Sequence, residues 1–131
     1  MGRDLEAYGA LVLRIFLGVI YMAHAYLSLF VMGPAKAIDY QRALHIPLPE
    51  IGAWYLIFAH GLGGLMLILG IMVRWAALAN IPIIAGALWF VHLPQGFFIF
   101  GTKNGYEYVL LLLGATVAQA LLGAGAFTLK K

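Results

Sequence analysis

Four long apolar runs constrain the fold of this chain more than any other feature of its sequence. They extend over residues 8–32, 51–72, 75–93 and 106–123. Each is close to the roughly 20 residues that an α-helix needs to cross the hydrocarbon core of a membrane. A transmembrane strand is shorter and alternates apolar with polar residues, which these runs do not do. The sequence therefore predicts an all-α, polytopic membrane protein, a bundle of four transmembrane helices in a single domain over residues 1–131.

The composition supports a membrane protein and excludes several other classes. Apolar residues make up 64% of the chain and charged residues 10%, whereas soluble domains have roughly half and a quarter. The net charge of +3 is small and scattered, which argues against nucleic acid as a partner and favours the lipid bilayer. The chain has no cysteine, so a disulfide, a thiolate metal site and a CxxC redox centre are excluded. Electron transfer would require a bound cofactor, a quinone or a redox partner protein.

Basic residues distinguish the two ends of the predicted bundle. On the side of the N terminus they are Arg3, Arg14, Arg74, Lys130 and Lys131, and on the opposite side they are Lys36, Arg42 and Lys103. Because cytoplasmic loops carry an excess of lysine and arginine, this bias predicts that both termini are cytoplasmic. We therefore expect a multi-pass protein of the cell membrane, the inner or plasma membrane of a prokaryote.

The longest polar connection follows the first apolar run. Gly33 and Pro34 are expected to end the first helix, because proline lacks the amide hydrogen that would continue it. The next residues, 35–44, predict a short helix at the membrane interface. We expect Ile38 and Leu44 to face the lipid from this helix.

The other connections are shorter. A tight turn around residues 73–74 is expected to join the second and third helices. Pro82 lies inside the third run, where it predicts a kink because apolar sequence continues beyond it. Residues 92–105 are rich in aromatic side chains and are expected to dip into the interface as a re-entrant segment.

Ionisable residues in a membrane span are functional candidates, because they are costly there. Those in or at the ends of the predicted spans are Arg14, His24, His60, His92 and Glu107. At 1.5 Å per residue, His24 lies about 12 Å and His60 about 13 Å from the outer end. Both are therefore expected at one depth, with His92 and Glu107 near the outer ends of the third and fourth helices. Each helix thus contributes one ionisable group to the same half of the membrane.

These groups predict a polar pocket that opens to the outside. A neutral imidazole both donates and accepts a hydrogen bond, so it can hold a quinone carbonyl or pass a proton. We take His24, His60 and Glu107 as the candidate catalytic residues of a proton or quinone pocket. His92 and Arg14 join the two histidines as candidate cofactor-binding residues, and no metal ligand is assigned. The alternative is that the histidines are interhelical hydrogen-bond partners and that Arg14 extends to the headgroups.

Other functions stay open on the sequence alone. The chain can be a scaffold or assembly partner, whose buried polar groups only fix the register of the helices. Two histidines at equal depth can ligate haem, and three histidines with a glutamate can bind zinc or copper. Transport would require an oligomer, because 131 residues form a narrow bundle. Glycines in the second helix permit the close packing of a homo-oligomer.

Several motifs, in order along nearly the whole chain, resemble the DoxX family of small four-helix membrane proteins. In the first helix the resemblance rests on LVLRIFLGVIYMAHAYLSLF and in the second on GLGGLMLILGIMVRWAAL. Further along it rests on FVHLPQGFF, GYEYVLLLLGA and the glycine-rich ending LLGAGAFTL. The positions that match the polar pattern of the family are Arg14, His24, Arg74, His92 and Glu107.

The resemblance implies a membrane subunit associated with redox chemistry. The family is linked to membrane oxidoreductase systems, including thiosulfate oxidation coupled to quinone and thiol-redox complexes. Two positions depart from its pattern: His60 stands where a glutamate is common, and Ser28 stands where a lysine is usual. These departures remove two charges from one region, so we expect a hydrogen-bonded site with altered proton chemistry.

Overall fold

The computed structural model describes residues 1–130 and is built almost wholly from helices. Its α-helices are α1 (Gly2–Tyr26), α2 (Pro34–Ala43), α3 (Pro49–Leu69), α4 (Val73–Gly86) and α5 (Glu107–Leu122). Three helical segments are long and apolar enough to cross a membrane, namely Gly2–Met32, Pro49–Leu69 and Val73–Gln95. The fourth apolar helix, α5, has 16 residues and is about 24 Å long at 1.5 Å per residue. The prediction of an all-α, multi-pass membrane protein is confirmed.

The spans that begin with α1 and α4 change their helical geometry towards the same end. After α1 the chain continues as a π-helix over Leu27–Met32, and after α4 it continues as a π-helix over Ala87–His92. A 3₁₀ turn, Leu93–Gln95, completes the second of these spans. A π-helix widens the backbone and often lies at functional sites. Residues from both π-helices line the cavity described below.

The first helical span ends and the short interfacial helix begins where the sequence predicts. Gly33 has a positive φ of 84° and Pro34 starts α2, which is the first helical position that suits proline. Ala37 and Gln41 form the buried face of α2. Leu44 follows on the same face and lines the cavity, so the expectation that it faces the lipid is wrong.

The connection between the third span and α5 contains a short hairpin. Strand β1 (Ile99–Phe100) pairs antiparallel with β2 (Lys103–Asn104). Gly101 has a φ of 62° in the two-residue turn between them, a conformation that favours glycine. The exposed aromatic rings of Phe98 and Phe100 project from this segment, which suits an interfacial position.

Helices α1 and α3 approach each other closely because glycines face one another. A Cβ at Gly18 would lie 2.7 Å from the carbonyl oxygen of Gly64, and one at Gly64 would lie 2.8 Å from Met22. Small residues at such crossings let backbones come into contact, which drives helix association in lipid. The core beside this crossing contains Leu17, Leu67 and residues of α4 and α5.

The described C-terminal residues return to the start of α1 and to the turn between α3 and α4. The Ala126 amide donates to the Ala7 carbonyl at 3.0 Å, and the Met72 amide donates to the Lys130 carbonyl at 2.9 Å. The first and last described residues therefore lie at one end of the bundle, which we call the terminal end. The opposite end carries α2 and the β1–β2 hairpin, and we call it the hairpin end. The cytoplasmic position of the terminal end stays a prediction.

Candidate functional site

A cavity of about 650 Å³ lies in the hairpin half of the bundle. The four spans form its walls, and α2 covers it from the hairpin end. Three of the five ionisable residues that the sequence singles out line it: His24, His60 and His92. Its volume lies within the range of about 300–1,000 Å³ that is usual for small-molecule sites.

The most buried ionisable group of the cavity wall is His60, which is 4% exposed. Its Nδ1 lies 2.5 Å from Oδ1 of Asn80, a residue of α4. The Asn80 amide nitrogen donates to the carbonyls of Ala59 at 3.0 Å and Ala76 at 2.8 Å. Gly63 makes room for this amide, since a Cβ there would lie 2.7 Å from it. The buried Asn80 side chain therefore joins α4 to α3 and holds the His60 ring in place.

Tyr21 of α1 covers one face of the His60 ring. Their ring centroids are 4.7 Å apart with an angle of 17° between the planes, so the rings are stacked. The Tyr21 hydroxyl hydrogen-bonds to Thr116 of α5. Because the Thr116 hydroxyl donates to the Leu112 carbonyl at 2.7 Å, Tyr21 is the donor to Thr116. The ring of His24 lies 6.2 Å from that of His60, which confirms that the two histidines lie together.

The hairpin positions His92 at the mouth of the cavity. Nδ1 of His92 lies 2.9 Å from the backbone carbonyl of Asn104, and a carbonyl can only accept, so Nδ1 is the donor. Glu107 does not line the cavity. Its carboxylate instead accepts the amide of Ile99 at 3.0 Å. The carboxylate therefore fixes the hairpin against the start of α5.

Helix α2 is held over the cavity by an ion-pair network and by a close contact with α3. Arg42 donates to Asp39 at 2.7 Å and to Glu50 at 2.6 Å. Beneath it the buried Gln41 side chain packs against Gly52, where a Cβ would collide with the Gln41 amide oxygen. The lack of a side chain at Gly52 thus lets α2 pack closely against α3, over the cavity.

Arg14 lies apart from this site, towards the terminal end. Its two Nη atoms donate four hydrogen bonds of 2.7 to 2.9 Å, two to α3 carbonyls and two to C-terminal ones. The acceptors are Leu67, Ile68, Ala126 and Phe127. The C-terminus of a helix carries a partial negative charge, which favours a guanidinium there. This arrangement joins α1, α3 and the C-terminal segment, and Arg14 does not line the cavity.

The cavity and core contain polar residues that a search for ionisable groups alone does not find. Asn80, Thr116 and Gln119 are all 0% exposed. The signal for them is an uncharged amide or hydroxyl in the middle of an apolar run, such as ALANIPII around Asn80. Such side chains hydrogen-bond across helices in membrane proteins.

No cluster of potential metal ligands among residues 1–130 supports a metal site. Among residues 1–130, no group of three or more histidine, aspartate and glutamate side chains is placed to hold a metal ion. Glu107 and His92 are each engaged with hairpin backbone atoms. The alternative of three histidines with a glutamate around zinc or copper is therefore unsupported.

Comparison with known proteins agrees with this architecture. A family model described as DoxX matches residues 9–93, which are 85 of the 131 residues of the chain. The match includes Arg14, His24, His60 and His92 and ends before Glu107. No curated protein and no solved structure gives a significant match. Since the family match covers more than half of the sequence, the chain belongs to the DoxX family of membrane proteins.

Proposed function

We propose that this protein is a membrane subunit of a redox system and that it binds a quinone head group in the hairpin-half cavity. The observation that carries the proposal is an apolar cavity with one almost fully buried histidine in its wall. Within residues 1–130 the Nε2 atom of His60 has no hydrogen-bond partner, and it is not completely buried. A polar atom left available in an otherwise apolar pocket is the usual means of orienting a ligand.

The cavity suits the size and chemistry of a quinone. Most of its wall is aliphatic or aromatic, including Leu56, Ile84 and Leu112. Its polar groups lie on different helices, with His60 on α3, His24 on α1 and His92 at the end of the third span. An amphipathic ring can place its oxygens against such groups, while its apolar tail extends into the bilayer.

The chain's own residues would bind and orient the ligand. Because the chain lacks cysteine, the quinone would supply the redox chemistry and a partner protein would exchange electrons with it. His60 holds one ring oxygen, His24 lies beside it, and His92 borders the route to the hairpin end. We propose that Glu107 and Arg14 position the surrounding backbone rather than contact the ligand. Thiosulfate or thiol oxidation systems are the settings that family membership suggests.

The experiment is a measurement of what stays bound to the purified protein. Wild-type protein in mild detergent is analysed for extracted quinone and then titrated with a short-chain benzoquinone and, under anaerobic conditions, with its hydroquinone. We expect stoichiometric binding of at least one of the two forms, and we expect His60→Ala to weaken binding of the tighter form about tenfold or more, because the orienting atom in the buried wall is lost. His45→Ala is the matched control, since His45 is exposed and lies outside the cavity. Equal binding by wild-type protein and His60→Ala would contradict the proposal.

A second candidate function is a scaffold without a ligand. The observation in its favour is that the polar bonds of the core already join three helices, through His60 with Asn80 and Tyr21 with Thr116. On this alternative, His60→Ala lowers thermal stability or recovery of a partner protein, and neither form contains quinone. The same purified preparations distinguish the two candidates.

A further inference from the structure

The hydrogen-bond directions around the cavity determine which kind of ligand its deepest part can accept. Nδ2 of Asn80 faces two backbone carbonyls, and carbonyls only accept, so Oδ1 is the atom turned to His60. An amide oxygen is also only an acceptor, so Nδ1 of His60 carries the hydrogen. In the neutral ring Nε2 is then the unprotonated nitrogen. The orientation of Asn80 thus makes His60 an acceptor towards the cavity.

The ring is neutral because nothing beside it compensates a charge. The groups that face it are the Tyr21 ring, the Asn80 amide and a second histidine, His24, at 6.2 Å between centroids. None of them is a carboxylate. An isolated cation in such an apolar interior is costly.

Hydrogen bonds within the protein also occupy the donors of three other side chains that line the cavity, from its deep wall to its mouth. The Tyr21 hydroxyl donates to Thr116 and the Tyr55 hydroxyl donates to the Ala79 carbonyl at 2.5 Å. Nδ1–H of His92 donates to the Asn104 carbonyl, so Nε2 of His92 is an acceptor as well. Each of these side chains lines the cavity.

Five side chains of the cavity wall keep their donor hydrogens, and four of them lie at exposed or half-buried positions. These four are His24, Ser28, Tyr40 and Tyr108, and the fifth is the buried amide of Gln41, which packs on Gly52 below α2; none makes a hydrogen bond to the protein within residues 1–130. A hydroxyl, or an imidazole free to exchange tautomers, can donate or accept. These groups therefore bind carbonyl and hydroxyl ligands alike and do not discriminate between them.

From this pattern we infer that the cavity selects a ligand whose inserted end carries a hydroxyl donor, and that it prefers the hydroquinone form to the quinone form. This inference rests on the proposed function. A hydroquinone donates its O–H to Nε2 of His60. A quinone carbonyl would place an acceptor against an acceptor, and a buried pair of that kind is costly.

The test compares the two redox forms of one probe. Wild-type protein in lipid nanodiscs is titrated by calorimetry with a short-chain benzoquinone, and with its hydroquinone under anaerobic conditions. We expect the hydroquinone to bind about tenfold more tightly or better, the effect of one mismatched buried hydrogen bond. Equal affinities, or tighter binding of the quinone, would overturn the inference and leave the proposed function standing. Binding of neither form would overturn both.

Two further measurements address the cause of the preference. Nitrogen NMR of histidine-labelled protein should find His60 protonated at Nδ1, and protonation at Nε2 would overturn the inference.

The variant Asn80→Ala frees Nδ1 of His60, so the ring can carry its hydrogen on Nε2, towards the cavity. The preference for the hydroquinone should then fall to about threefold or less. A preference that persists in a folded Asn80→Ala protein would contradict the role of Asn80. If that variant does not fold, the wild-type affinity ratio and the NMR spectrum still decide. His45→Ala should retain the full preference.

Discussion

Arg14 and His60 are both almost fully buried polar residues, yet their surroundings differ in one respect. Towards the terminal end, all four Nη hydrogens of Arg14 have carbonyl partners that come from two other segments. In the hairpin half, His60 has one ring nitrogen bonded to Asn80 and the other available to a cavity. The first arrangement is closed and joins segments of the chain. The second leaves an atom to which a ligand can bind.

The comparison teaches that burial does not by itself identify a functional residue in a membrane bundle. Ionisable residues in spans are functional candidates in general, and both Arg14 and His60 qualify by position. Each side chain leaves one nitrogen without a protein partner, but Nε of Arg14 is buried away from the cavity, whereas Nε2 of His60 belongs to a side chain that lines it. The most damaging substitution for stability and the most damaging one for binding should therefore lie in opposite halves of the molecule.

The largest expected effect on stability is that of Arg14→Ala. It removes four hydrogen bonds and leaves the carbonyls of Ile68, Ala126 and Phe127 without donors, while the Leu67 carbonyl keeps the Gly70 amide, so we expect a loss of about 3 kcal/mol or more. Arg14→Lys should recover only part of this, because an ammonium cannot reproduce the guanidinium fork. The measurement is thermal or denaturant unfolding in detergent. Arg3→Ala is the control, since Arg3 is exposed, and an equal loss there would contradict the distinction between the two halves.

A smaller loss of stability is expected from Gly70→Ala. Gly70 ends α3 with a φ of 71°, and a Cβ there would lie 2.8 Å from Nη1 of Arg14 and 3.0 Å from Thr128. The left-handed backbone and the displaced guanidinium together should cost about 1–3 kcal/mol. Gly114→Ala is the matched control, because nothing lies within 4 Å of a Cβ at that helical position. The control should be neutral or stabilise by up to about 1 kcal/mol, and a similar loss in both variants would show that crowding at Arg14 is not the cause.

The sequence predicts the features that depend on local pattern. Helix lengths follow from the apolar runs, and the start of α2 follows from Gly33 and Pro34. The common depth of His24 and His60 follows from counting helical rise along two antiparallel spans. A pocket lined by three histidines could therefore be anticipated, although its volume and its cover by α2 could not.

The sequence does not predict the features that depend on distant backbone atoms. The acceptors of Arg14 lie 53 to 113 residues away along the chain. They are backbone carbonyls, which every residue has, so no residue type in the sequence identifies them. Asn80 escapes notice because it is uncharged, although it fixes the tautomer of His60. The hairpin is also missed: Asn104-Gly105 is the favoured hairpin pair, but the turn lies earlier, at Gly101.

The smallest expected effect on stability is that of Tyr21→Phe, and it sharpens the comparison within the hairpin half. The substitution keeps the ring that stacks on His60 and removes only the hydroxyl that donates to Thr116. Thr116 keeps its own bond to the Leu112 carbonyl, so no donor is left without a partner. Interhelical bonds of this kind contribute about 0.6 kcal/mol on average in membrane proteins, and we expect a loss of that order in detergent unfolding.

The control is Tyr26→Phe, at an exposed position of the same helix, which should not change the stability measurably. A loss for Tyr21→Phe as large as that for Arg14→Ala would mean that the hairpin half is held as tightly as the terminal end, and the contrast between a closed and an open polar site would fail.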